Sequence, residues 1–158
     1  MNPNPAFALR KARPSDLDAL TELEQRAFTL SDGPLTRRAF AYHLRSKNLL
    51  LVALDHGQPQ RLAGYILVFM HRCSARIYSL AVSSEHQGRG VAKTLVKAAC
   101  AEAVARDLDR VNLEVRLSND AAIGLYESIG FQKKSLRKDY YGLNENGWRM
   151  QWRVKNTA

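Results

Sequence analysis

Cysteine is scarce in this chain of 158 residues: Cys73 and Cys100 are the two present. They stand at no spacing that would ligate zinc. They are expected to be two reduced thiols of a cytoplasmic protein. No apolar run approaches the roughly 18 to 20 residues that a membrane-spanning helix needs. Met1-Asn2-Pro3-Asn4-Pro5 lacks the basic stretch and apolar core of a secretory signal. No linker, internal repeat or low-complexity segment interrupts the chain, so one domain over residues 1–158 is expected. Acidic residues are the scarcer charge, 15 against 24 Lys and Arg, for a net charge of +9. The excess suggests an anionic partner. It is scattered, with local clusters at Arg10-Lys11-Arg13, Arg37-Arg38 and Lys133-Lys134-Arg137-Lys138. No long basic run marks a nucleic-acid arm. Basic and aromatic residues do not interleave on one predicted sheet face, which disfavours single-strand RNA readout.

What is present is organised around Ser79 to Lys97. A short apolar run ends in a small polar turn, passes through Gln87-Gly88-Arg89-Gly90, and enters an amphipathic helix pattern at once. Strand, glycine-bearing turn and helix together present main-chain N–H groups to an anion at a helix N-terminus. Gly88 and Gly90 carry no side chain, so a phosphate can approach closely. An ordinary loop has the same local pattern.

Around that stretch the periodicities predict a mixed α/β domain. Strands are expected at Phe7 to Lys11, Leu49 to Leu54, Leu62 to Met70, Arg76 to Val82, Arg110 to Leu117, Phe131 to Lys138 and Trp148 to Val154. Helices are expected from about Asp16 to Phe28, from Thr36 to Asn48, after Gly90, and after Ser118 or Asn119. Ser15 with Asp18 resembles a capping box for the first. The third should bury Ala92, Leu95, Val96, Ala99 and Ala103. The fourth should bury Ala122, Leu125, Tyr126 and Ile129, with Gly130 ending it. Asp55 to Gln60 is expected as a turn, Asp139 to Asn146 as a polar loop, and Lys155 to Ala158 as a tail. The fold class is thus α/β, with about seven strands in a mixed central sheet and about four helices.

Two blocks make the chain resemble the GNAT acyl-CoA N-acyltransferase superfamily. The first is Gln87, Gly90 and Ala92 at the spacing of the family's cofactor motif. The second is Leu113-Glu114-Val115-Arg116, Ser118-Asn119, Ala122 and Leu125-Tyr126-Glu127-Ser128-Ile129-Gly130-Phe131. It is most similar to the RimI-like branch, which acetylates the N-terminal amine of a ribosomal protein. The resemblance implies acetyl-CoA as cosubstrate. It implies that the main chain of Gln87, Gly88, Arg89, Gly90, Val91, Ala92 and Lys93 holds the diphosphate. Leu80, Ala81 and Val82 would hold the pantetheine arm, in a gap between their strand and that of Glu114. Asn119 would contact the cofactor or serve only as a helix cap.

The chemistry of acetyl transfer needs a proton acceptor for the attacking amine, stabilisation of the carbonyl oxygen, and a donor for the leaving thiolate. Alternation turns Glu114 away from Leu113 and Val115. Spacing alone favours a plain solvent-face residue; the resemblance reverses this and implies that it is the base, directly or through water. Tyr126, on the inner face of a short helix, is implied as the acid. No metal is called for. The Thr29 to Thr36 and Asp139 to Asn146 segments are the expected acceptor walls. Tyr140-Tyr141 and Asn146-Gly147 match the branch, but Trp148-Arg149 stands where the branch usually carries acidic residues. The acceptor therefore stays open between the N-terminal amine of a protein or peptide, a ribosomal protein among them, and a small amine or lysine side chain. A non-catalytic acyl-CoA-binding or ribosome-associated module is the alternative of another class.

Overall fold

A computed structural model describes residues 7–154, the side chains of Pro59 and Gln60 aside. The Met1–Pro5 stretch and the Lys155–Ala158 tail lie outside the described residues. In chain order the elements are β1 (Phe7–Lys11), α1 (Leu17–Ala27), α2 (Arg37–Arg45), β2 (Leu49–Asp55), β3 (Gln58–Met70), β4 (Ser74–Val82), α3 (Val91–Ala105), β5 (Arg110–Arg116), α4 (Asp120–Ile129), β6 (Gln132–Gly142) and β7 (Glu145–Arg153). Short 3₁₀ turns at Pro14–Asp16, Leu30–Asp32 and Ser84–His86 join some of them. The strand order is β1-β2-β3-β4-β5-β7-β6. Strands β4 and β5 run parallel while β1/β2, β2/β3, β5/β7 and β6/β7 are antiparallel, so the sheet is mixed as expected. No helix among the described residues is long and apolar enough to cross a membrane.

The chain divides into two compact units. The first comprises the residues up to Val68 together with Ser79–Val96. Its core is Leu20 of α1, Phe40 of α2, Val52 of β2, Tyr65, Ile66 and Leu67 of β3 and Leu95 of α3, none more than marginally exposed. Each such aliphatic side chain contributes about 1.5–3 kcal/mol by leaving water. Phe40 meets the Tyr65 ring edge-on at 5.4 Å. Helix α2 is capped where expected, the Thr36 hydroxyl accepting from the Ala39 N–H at 3.1 Å. The capping carboxylate before α1 is Asp16, not Asp18. Asp16 accepts from the Arg13 N–H at 2.7 Å and pairs with Arg10, whereas Asp18 pairs with Arg37 on the surface. Strand β3 begins at Gln58, four residues before the apolar run, leaving only His56 and Gly57 between β2 and β3.

The second unit comprises Phe69–Tyr78 and the chain from Lys97 on. Its core includes Ala99 and Ala103 of α3, Val111 and Leu113 of β5, Phe131 and Met150. Asn119 caps α4, accepting from the Ala122 N–H at 3.1 Å, and Gly130 ends the helix at φ 118°. The buried face of α4 is Ile123 with Tyr126, rather than Ala122, Leu125 and Ile129, which are only partly covered or shifted off it. The Asp139 to Asn146 segment is not a loop. Strand β6 continues to Gly142, turns over Leu143 and Asn144, and returns as β7 from Glu145. Nearly every residue of β6 is exposed, so no apolar alternation carries the expected strand past Lys138 to Gly142. Side chains hold the turn instead. Asn146 Oδ1 accepts from the Asp139 N–H at 2.9 Å, and Asp139 Oδ1 from the Asn144 N–H at 2.7 Å.

Candidate active site

In the first unit, β4 ends at Val82 and a 3₁₀ turn leads to Gln87. Gly88 and Gly90 then adopt φ 77° and 82°, which a side chain disfavours. A Cβ built on either would meet no atom within 4 Å, so the space before them is open. Helix α3 starts at Val91, and the Thr94 N–H is the first to bond back, to Gly90 O at 3.0 Å. The N–H groups from Gly88 to Lys93 make no hydrogen bond to the described protein. Open space, free donors and the positive end of α3 are the features that suit a diphosphate.

The turn is braced from below. His86, buried, bonds Asp55 through Nε2 at 2.9 Å and Ser83 through Nδ1 at 2.5 Å. The His86 bond and the Gly57 N–H hold the Asp55 carboxyl below its ordinary range. Arg61 grips Glu85 with two bonds, at 2.8 and 3.1 Å. Sequence reasoning missed these braces, because their partners lie 24 and 31 residues apart. It also missed a buried chain of polar groups. The Glu24 carboxylate accepts from the Tyr65 hydroxyl and from the Leu35 N–H, and Tyr65 meets Ser79 Oγ at 2.6 Å. Burial raises the Glu24 carboxyl above its ordinary value, against these two donors.

In the second unit, Glu114 is no solvent-face residue. Its side chain is 6% exposed, and Oε2 accepts from Arg76 Nε at 2.9 Å. Arg76 Nη2 donates to the Tyr140 hydroxyl at 2.7 Å. Burial opposes the Arg76 charge, yet Glu114 and Tyr140 outweigh it and leave the guanidinium above its ordinary value. The β4/β5 ladder joins Ser74–Arg76 to Arg110–Asn112 and does not extend to Glu114. Oε1 of Glu114 has no protein partner among the described residues. No fully enclosed side-chain oxygen is left unpaired there, so Oε1 touches solvent.

Tyr126 has the same character. Its ring is buried against Phe131, centroids 5.7 Å apart, while its hydroxyl bonds no described protein atom and therefore also touches solvent. Burial pushes its phenol up to about 12. The Tyr141 phenol is pushed up to about 12 as well, by burial and then by Tyr140, Glu114 and Tyr126, with Arg116 opposing. Glu114 and Tyr126 thus both act electrostatically on Tyr141, which places the three in one neighbourhood. Gly147 lets Tyr141 lie against β7, since a Cβ there would sit 2.7 Å from the ring. Asn119 spends its side-chain carbonyl on the α4 cap and keeps its amide nitrogen for another partner. Burial pushes the Cys100 thiol up to about 12, which makes it a poor nucleophile.

The sequence profile of the acetyltransferase (GNAT) family matches residues 17–131. A Bacillus subtilis (strain 168) protein with the provisional name ribosomal protein bS18-alanine N-acetyltransferase is 33% identical over 145 residues, 92% of this chain and 93% of its own length. The ribosomal protein bS18-alanine N-acetyltransferase of Escherichia coli (strain K12) is 31% identical over 127 residues, covering 80% of this chain and 82% of its own. The crystal structure of the ribosomal-protein-S18-alanine N-acetyltransferase from Escherichia coli matches with a TM-score of 0.84 at 26% identity, over 96% of each chain.

Proposed function

The chain belongs to the acetyltransferase (GNAT) family, and on that premise we propose that it moves the acetyl group of acetyl-CoA to the N-terminal α-amine of a polypeptide, in the cytoplasm and as one catalytic module. The observation that carries the chemistry is the pair of unengaged oxygens in the second unit, Glu114 Oε1 and the Tyr126 hydroxyl. Both sit on nearly buried side chains, so their positions are fixed while their polar atoms stay available. The names of the Bacillus and Escherichia coli relatives support an α-amine as acceptor.

In this reading the main chain from Gln87 to Lys93 holds the diphosphate, and Leu80, Ala81 and Val82 offer strand-edge groups to the pantetheine arm. An amide of that segment polarises the thioester carbonyl, and the amide nitrogen of Asn119 is a further contact to the cofactor. Arg76 fixes Glu114 through Oε2, and Oε1 takes the proton of the attacking amine directly or through one water. An α-amine, with a reference pKa of roughly 8, yields that proton more readily than a lysine at about 10.4. Tyr126 stays protonated at neutral pH because its phenol titrates at about 12. Full transfer from it to a thiolate of pKa roughly 8.5 runs uphill by about 5 kcal/mol. Tyr126 therefore acts as a hydrogen-bonding acid that stabilises the departing thiolate, with solvent completing its protonation.

The test is an acceptor screen. Acetyl-CoA is paired with short peptides of varied N-termini, the same peptides blocked at the α-amine, polyamines and free amino acids, and released thiol is read. Turnover confined to free N-termini is the expected result. Turnover of blocked lysine peptides or polyamines alone would overturn the α-amine reading.

A further inference from the structure

Resting on that reading, we propose that the acceptor is selected for acidic side chains just after its N-terminal residue, and that Arg149 with Arg137 reads them. The observation is a cross-strand register within the second unit. Glu114 of β5 stands directly opposite Arg149 of β7, and Arg149 directly opposite Ser135 of β6. One row further along, Arg116, Gly147 and Arg137 face one another in the same way. Residues paired across antiparallel strands share a face, and positions two apart return to it. Arg149 and Arg137 therefore lie on the Glu114 face of the sheet. Ser135 and Gly147, between them, are too small to cover it.

The charges on that face are unequal. Glu114 is paired with Arg76, and Glu145 with Arg116 at 2.7 Å. Arg149 and Arg137 have no carboxylate partner among the described residues. Arg137 instead lies over the Tyr140 ring at 5.6 Å. Tyr140 is the residue that Arg76 ties to Glu114, so the two uncompensated cations flank the proposed base from β7 and β6. Guanidinium groups bind carboxylates with two parallel hydrogen bonds and fixed geometry.

With the acceptor amine at Glu114 Oε1, an extended chain advances about 3.3 Å per residue. Directly paired residues are about 5 Å apart and diagonal neighbours about 7–8 Å. Side chains two to four residues from the amine are then within reach of Arg149 and Arg137. Acidic ones would neutralise the pair, and basic ones would meet like charge.

The experiment compares kcat/KM for three peptides that share one N-terminal residue and differ at positions 2 to 4, which are acidic, neutral or basic. The acidic peptide is expected to exceed the basic one by about tenfold or more, the order of one charge-assisted hydrogen bond. Arg149→Glu and Arg137→Glu should each shrink or invert that acidic-to-basic ratio. Arg137, exposed on the edge strand, provides the reading if Arg149→Glu fails to fold. A ratio near one in the wild type, or one unmoved by both variants, overturns the proposal. Arginine-dependent binding of a short RNA, with the peptides indistinguishable, assigns the face to nucleic acid and overturns it too. If no peptide is acetylated, the N-terminal acetyltransferase reading itself fails; turnover without charge preference removes only this inference.

Discussion

Tyr126 is nearly enclosed but keeps its hydroxyl in contact with solvent, and the two facts separate its packing from its chemistry. The ring fills space beside Phe131, so Tyr126→Phe preserves that contact and deletes only the oxygen. Loss of one preorganised donor to a developing anion lowers turnover by about 10²–10³. We expect kcat to fall by that order while the acetyl-CoA dissociation constant stays within about twofold, as read by calorimetry. Turnover equal to wild type would remove the acid role. Glu114 calls for a different readout, because Arg76 will remain beside whatever replaces it. Glu114→Gln keeps the shape and an acceptor for Arg76 Nε but removes the proton acceptor. The rising limb of the pH–rate profile should flatten, and an unchanged profile would argue against Glu114 as base. Alternation in β5 sets this residue on the face opposite Leu113 and Val115, where the structure has it. It could not show that the face is covered, because Arg76 and Tyr140 arrive from positions 38 and 64 residues distant from their partners.

At the scale of elements, legibility followed the source of stability. Helix α3 and strands β2 to β5 are held by apolar burial, and their periodicity is written in the residues that are buried. The β6–β7 hairpin is held by main-chain pairing and by Asn146 and Asp139 side chains, which leave no hydrophobic period, so β6 was expected to end four residues early. Asp139 and Asn144 both adopt positive φ, at 54° and 60°, in a stretch whose polar composition reads equally as loop. The turn into α3 was legible for another reason: its glycines are required by the backbone itself. Gly90 at φ 82° disfavours any side chain, and the open space before it is where the diphosphate is proposed to lie. Gly90→Val should therefore cost roughly 1–2 kcal/mol in local strain and abolish acetyl-CoA binding in calorimetry, with circular dichroism showing the fold intact. Unchanged affinity would remove this turn as the diphosphate site.

Across the molecule as a whole, the fold class and family were readable because many weak local signals agreed. Buried polar networks were not, since they join distant segments by single side chains. Two of these networks set opposing demands on pH. Asp16 is held below its ordinary value of 3.8 by Arg10, against burial and with help from the Arg13 N–H. A carboxyl depressed on folding contributes stability above its unfolded value, and loses it as pH falls through the lowered one. Glu24 is raised above 4.5 by burial, against its bonds from Tyr65 and Leu35. A carboxyl raised on folding contributes most below its unfolded value, and that contribution disappears as pH rises through the raised one. The two demands coincide only near pH 4, so at neutral pH Glu24 is the group that costs stability. Glutamine at this position could still accept from the Leu35 N–H and donate to the Tyr65 hydroxyl, without a charge to bury. Glu24→Gln should raise the melting temperature relative to wild type at pH 8, by about 2–4 °C for each kcal/mol relieved, and change it little at pH 4.5. Asp16→Asn should do the reverse of a rescue, lowering the melting temperature at pH 7 and by progressively less as pH falls below 3.8. A difference between Glu24→Gln and wild type that is the same at pH 4.5 and pH 8 would show that Glu24 does not titrate within the folded state over that range.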